Sequence, residues 1–194
     1  MQKDNKKLQG KDFINVGIFG AIYFVIAMAV GMLGYIPVFV PLFCVITPII
    51  GGVPFMLFLT KVKKFGMIWL LAVILGLFSL IAGMGYYALL LGLAAGLLAE
   101  LVYRGEPKSI VKAVFANAIF GIITWGNVLP IFLNIEAYFA TRGDFGKEYI
   151  DALTSYTPSW MCFVLLAACF VSGIIGGLFG QALLKKHFKK AGIA

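Results

Sequence analysis

The sequence predicts an all-α integral membrane bundle of six transmembrane helices, with both termini cytoplasmic and a single membrane domain over residues 1–194. Three observations carry this. Of the 194 residues, 62% are hydrophobic and only 12% are charged, whereas a soluble domain is roughly half apolar and about a quarter charged. The apolar residues fall in long uncharged stretches of the length that crosses a bilayer, about 20 residues. The basic residues sit almost entirely between and beyond those stretches.

Read in order, the spans fall near 13–33, 36–60, 65–82, 84–103, 110–134 and 158–184, leaving 135–157 as one long outer loop. The polar, Lys-rich segment from Met1 to Lys11 precedes an apolar run too long for a signal-peptide core. That run therefore reads as a retained first helix. Orientation follows from the preference of short Lys- and Arg-rich loops for the cytoplasm. Lys3, Lys6, Lys7 and Lys11 precede the first span, and Lys61, Lys63 and Lys64 join the second to the third. Arg104, Lys108 and Lys112 flank the turn between the fourth and fifth, and Lys185, Lys186, Lys189 and Lys190 follow the sixth. The alternate connections are neutral or acidic: Gly34–Tyr35 and the turn near Gly83 carry no charge, and 135–157 sets Arg142 and Lys147 against Glu136, Asp144, Glu148 and Asp151. An even number of spans is the arrangement in which every alternate loop obeys the rule. The net charge of +8 is thus topological, and nucleic acid is not an expected partner.

The second span is irregular. Pro37, Pro41, Pro48 and Pro54 interrupt it and Gly51–Gly52 lies in its middle, so a break or kink is expected. Non-helical backbone at membrane depth persists only where protein or a wet cavity satisfies it, which leaves two readings, a packing kink or a kink that shapes a ligand cavity. Small residues recur four apart at Gly17 and Ala21, Gly92 and Gly96, Gly173 and Gly177, and Gly176 and Gly180. Such spacing lets helix backbones approach closely.

Catalytic and metal chemistry have little to stand on. The single histidine, His187, lies in the basic tail, and Cys44, Cys162 and Cys169 all fall inside apolar stretches without the paired spacing of a metal or redox site. Glu100 stands four residues before Arg104, a spacing that puts both on one helix face and suggests an interfacial ion pair, with a coupling carboxylate as the sharper reading. No phosphate-binding Gly loop with its Lys appears. We expect no catalytic residues, no metal, no cofactor and no enzymatic activity. Aromatic and amide residues gather instead toward the expected outer ends: Tyr35, Tyr86, Tyr87, Trp125, Asn127, Asn134 and Trp160 are the candidate substrate-binding residues, with Tyr138, Phe139 and Tyr156 nearby. Interfacial belts also attract Tyr and Trp. The amides are more telling, because an amide near the end of a span is costly unless water, a partner or a ligand satisfies it. The loop 135–157 is long enough to act as a lid.

Taken together, the basic start, Gly17-x-x-x-Ala21 on the first span, the Pro-rich second span and the long outer loop resemble the substrate-binding S components of energy-coupling factor (ECF) transporters. More narrowly, Lys11–Phe24 (KDFINVGIFGAIYF), Thr47–Pro54 (TPIIGGVP) and Trp125–Asn127 (WGN) look like the Trep_Strep family of small bacterial membrane proteins. The resemblance implies a subunit in the bacterial plasma membrane that captures a small molecule at the extracellular face. Its partners would be a transmembrane coupling subunit and two ATP-binding subunits, which supply the energy. It also implies that Gly17 and Ala21 form the docking face, with Gly17 standing where S components more usually carry Ala. Haem uptake has been linked to proteins resembling this family, so haem or another tetrapyrrole stands beside vitamins and other micronutrients as a substrate class. With His187 on the cytoplasmic side, an axial haem ligand would fall to Tyr86, Tyr87 or Met161. The competing readings are a stand-alone secondary carrier or channel for a small organic solute, which should show ionisable groups at mid-membrane, and a membrane-embedded enzyme, which should show convergent acids, bases or metal ligands.

Overall fold

In the computed structural model, residues 7–104, 109–140, 142–143 and 145–188 are described, the side chains of His187 and Phe188 excepted. Lys3, Lys6, Lys108, Asp144, Lys189 and Lys190, and the His187 side chain, therefore lie outside the described residues. The described chain is all-helical. The elements are α1 (Gly10–Gly31), α2 (Phe43–Lys61), α3 (Met67–Ile81), α4 (Tyr87–Tyr103), α5 (Ile110–Leu133), α6 (Ile135–Ala140), α7 (Lys147–Tyr156) and α8 (Met161–Leu183), with 3₁₀ turns at Met32–Tyr35 and Pro37–Leu42. Four candidate spans are long and apolar enough to cross a membrane: Gly10–Tyr35, Pro37–Lys61, Ile110–Leu133 and Met161–Lys186. The helices Met67–Ile81 and Tyr87–Tyr103 are apolar but shorter.

These helices start and stop for local reasons. Asp12 sits in the first turn of α1 and accepts the Gln9 amide at 2.8 Å, tying off a free donor at the helix start. Ser109 caps α5 by accepting the Lys112 amide at 3.2 Å. Gly66, before α3, takes φ +96° and has no side chain with which to cap. Glu100, reaching across from α4, fills that role: its carboxylate accepts the amides of Ile68 at 2.7 Å and Trp69 at 3.1 Å. This corrects the expectation of a Glu100–Arg104 ion pair. Among the described residues no ion-pair contact joins them, and the Arg104 guanidinium lies 5.1 Å from the centre of the Phe65 ring.

The Pro-rich span also departs from expectation. Its irregularity is confined to the Pro37–Leu42 turn, and α2 runs as one helix from Phe43 to Lys61 through Pro48 and Pro54. Each of those two prolines leaves one carbonyl in the preceding turn without its in-helix donor. Gly52 and Gly176 meet backbone to backbone, so that a Cβ on either would overlap the other helix, and Gly180 approaches the Gly52 carbonyl in the same seam. Gly173 and Gly177 pack on Ala118 and Val114 of α5, and Gly92 and Gly96 on Ala72 of α3. The small-residue stripes of α4 and α8 therefore serve packing within the chain. On α1, Gly17 and Ala21 differ: both are exposed, and a Cβ at Gly17 would meet nothing within 4 Å.

In cross-section the six long or apolar helices close a ring in the order α1, α2, α8, α5, α4, α3, with α2 also touching α5 across the middle. One half of the interior is filled by aromatic rings. Phe55 and Phe120 lie 4.5 Å apart, Tyr23 and Phe120 5.6 Å, and Phe19 and Phe58 5.5 Å, between centroids. Outward-facing positions carry large apolar side chains, among them Ile14, Val25, Ile81, Phe163 and Phe179. Exposed apolar surface of this extent calls for lipid as the solvent. The two ends of the ring differ. One gathers Lys7, Lys61, Lys64, Arg104 and Lys112, and is pinned by the Lys64 ammonium, which bonds the Asp12 carboxylate at 2.8 Å and the Lys7 carbonyl at 2.7 Å. The other, the aromatic end, carries α6 and α7.

Candidate functional site

The segment 135–157, expected to be a loop, is largely helical at the aromatic end. Asn134 ends α5 in extended backbone and its side-chain oxygen accepts the Ala137 amide at 2.9 Å, which turns the chain straight into α6. After α6 the chain doubles back through α7, which packs on the Pro37–Leu42 turn. Apolar Leu153 is fully buried there, while Asp151, Thr154 and Ser155 stay exposed. Two polar ties hold the segment down. The Tyr149 hydroxyl donates to the Gly34 carbonyl, and Arg142 donates to the carbonyls of Tyr138 and Gly83. Gly83 can offer its carbonyl because the α3–α4 turn there needs φ +77°, a conformation that a side chain disfavours.

Under this segment lies a cavity of about 270 Å³. Its floor comes from α1 and α5 through Phe24, Met28, Asn127, Val128 and Ile131; its walls and roof are Tyr35, Phe43, Met84, Tyr138, Phe139, Arg142, Phe145 and Tyr149. The lining is mostly apolar and aromatic. Phe145 is the centre of the aromatic cover, stacked 5.9 Å from Tyr35 and set 4.6 Å from Tyr149 and 5.3 Å from Phe139. The Arg142 guanidinium lies over the Tyr138 ring at 3.6 Å, a cation–π contact. Burial pushes the Tyr138 phenol above its ordinary pKa, against a smaller opposing pull from Arg142. Burial likewise raises Tyr149, helped by the nearby Tyr138. Both are neutral hydroxyls at physiological pH, with ordinary tyrosine values already near 10.

Among the described residues, one buried side-chain polar atom of the lining lacks a partner. The Asn127 side-chain oxygen is out of contact with water and accepts no hydrogen bond. An unmet buried acceptor costs about 1–3 kcal/mol; because the atom is sealed off, a donor on a molecule in the cavity meets it only when the amide turns toward the cavity. Thr47, the other buried side chain without a hydrogen-bond partner among the described residues, belongs to α2 and does not line the cavity.

The candidate residues from sequence divide accordingly. Tyr35 and Asn127 line the cavity. Tyr86 and Tyr87 stack on each other at 4.4 Å with hydroxyls 3.1 Å apart, at the start of α4 and outside the lining. Trp125 donates its indole N–H to the Cys162 carbonyl at 2.9 Å and so ties α5 to α8. Asn134 caps α6 and borders a second, more open hollow of about 360 Å³ with Glu136, Thr154 and Thr157. Trp160 is 62% exposed at the start of α8. Sequence reasoning left out Arg142, Phe145 and Tyr149; the only signal pointing to them was the length of 135–157, since none sits in an apolar span.

An all-helical chain with several membrane-length apolar helices and lipid-facing apolar surface is a multi-pass integral membrane protein. Residues 10–190 match the family model described as hypothetical bacterial integral membrane protein (Trep_Strep), and the chain belongs to that family, which sets it in the bacterial cell membrane. No curated protein and no solved structure matches it.

Proposed function

We propose that this protein is the substrate-binding S subunit of an ECF-type importer. In this reading six helices cross the bilayer, with the basic end cytoplasmic and the aromatic end outside. A micronutrient enters at the extracellular face under the α6–α7 segment. A transmembrane coupling subunit and two ATP-binding subunits then drive its uptake.

The observation that carries the reading is the cavity beneath α6 and α7, closed by aromatic side chains and holding an unpartnered amide oxygen at Asn127. Such a mostly apolar cavity with a few placed polar groups is how small-molecule sites are built. Two further features favour a binding subunit over a channel or self-energised carrier. The interior beyond the cavity is packed with Tyr23, Phe55, Phe58 and Phe120 rather than open. Among the described residues the buried charged side chains are Asp12 and Glu100, both bonded at the basic end. The exposed Gly17–Ala21 face of α1 is open to close approach by the coupling subunit. The cavity volume, near the lower bound of drug-sized pockets at about 300 Å³, favours a vitamin-sized molecule; haem would require α6 and α7 to lift.

Affinity purification from the native bacterium tests the proposal. It should recover one further membrane protein and ATP-binding subunits. Full transport by the protein reconstituted alone would instead make it a carrier.

A further inference from the structure

Arg142 is the single charged residue among those that line the cavity. It has five N–H donors, of which one goes to the Tyr138 carbonyl and one to the Gly83 carbonyl. Among the described residues no carboxylate lies within ion-pair distance of it. Its guanidinium lies over the Tyr138 ring and is held by those two carbonyls, so its remaining donors are restricted in direction, the state in which Arg binds a planar or tetrahedral oxyanion through paired hydrogen bonds. Arg142 is half-buried at the edge of the cavity, where an anion on a bound molecule can meet its charge. The same cavity offers the Asn127 oxygen, an acceptor without a donor, and aromatic faces from Tyr35 and Phe145.

Resting on the proposed binding role, we infer that the cavity selects a flat aromatic molecule carrying an anionic oxygen group, a carboxylate or a phosphate ester, together with a hydrogen-bond donor. The anionic group meets Arg142 where α6 turns toward α7. The ring lies between the aromatic side chains. The donor bonds the Asn127 oxygen when that amide turns into the cavity.

Matched probes separate charge from shape. The full-length protein in nanodiscs is titrated with 4-aminobenzoate against 4-aminobenzamide, pyridoxine 5′-phosphate against pyridoxine, and flavin mononucleotide against riboflavin. The first pair reports a carboxylate and the others a phosphate ester. The anionic member of at least one pair should bind about tenfold or more tighter than its neutral mate. Arg142→Gln should weaken that anion about 10- to 100-fold, the range set by a charge-assisted hydrogen bond, and shift the neutral mate less than about threefold. Arg142→Lys should recover part of the loss. Equal binding of both members overturns the inference, and so does an Arg142→Gln variant that weakens both alike, since Arg142 would then only fasten the cover. Native mass spectrometry of protein taken directly from cells distinguishes the two levels of failure. A neutral co-purified molecule overturns the anion preference and leaves the binding role standing, whereas no probe bound and no co-purified molecule overturns both.

Discussion

Glu100 offers the sharpest separation of a structural role from a transport role. Its side chain is 4% exposed and serves as the missing cap of α3, whose preceding residue, Gly66, has no side chain. Two backbone amides, of Ile68 and Trp69, end on one carboxylate oxygen. Glu100→Gln keeps an acceptor at that point and gives up the attraction between a carboxylate and a helix start, about 1 kcal/mol. Glu100→Leu leaves both amides unmet, about 3 kcal/mol for the pair. At about 3 °C per kcal/mol for a chain of this size, the melting temperature in detergent should fall by about 3 °C for Gln and about 9 °C for Leu. Trp69 lies at the site, with its indole N–H on the Leu93 carbonyl at 3.1 Å, so its fluorescence follows the loss in a background with Trp125 and Trp160 replaced by Phe. Uptake per folded molecule should be unchanged in Glu100→Gln. If that variant keeps its stability and loses uptake, Glu100 is a coupling carboxylate and the capping argument fails.

Two further substitutions test opposite kinds of glycine. Gly176→Val drives a side chain into the backbone of α2 at Pro48 and Ile49, and overpacking of about 1–3 kcal/mol or more should lower the melting temperature or the folded yield; an unchanged protein would mean that the α2–α8 seam is wrong. Gly17→Leu points into open space, so folding and ligand binding should persist while ATP-driven uptake is lost. Normal uptake by that variant would remove Gly17 and Ala21 from the docking face.

Much of the helical framework was legible because burial in lipid demands long apolar helices, and that demand is written directly into composition. The Pro-rich stretch was harder. Prolines advertise lost hydrogen bonds, but Pro48 sits where Gly176 of α8 and Gly121 of α5 press close and Pro54 is buried, and only tertiary packing decides that α2 stays whole there. Glu100 misled for a related reason: spacing within a helix identifies Arg104 as a neighbour, while the amides that take its carboxylate come from 32 residues away. At the candidate site, Asn127 could be singled out because an amide at a span end is conspicuous, and Tyr35 because it flanks an uncharged turn. Arg142, Phe145 and Tyr149 could not. They lie in a polar stretch whose local pattern says only that it leaves the membrane, and they reach the cavity through the return of α7 onto the Pro37–Leu42 turn, a long-range contact without a sequence period.

Whether α6 and α7 face the outside of the cell decides more than any other fact about this protein. Asp151 is exposed on α7, and Asp151→Cys in a background with Cys44, Cys162 and Cys169 replaced gives one reactive thiol there. On intact cells we expect a membrane-impermeant maleimide to label it fully. Labelling only after the membrane is opened would put the cavity mouth in the cytoplasm and contradict uptake from outside.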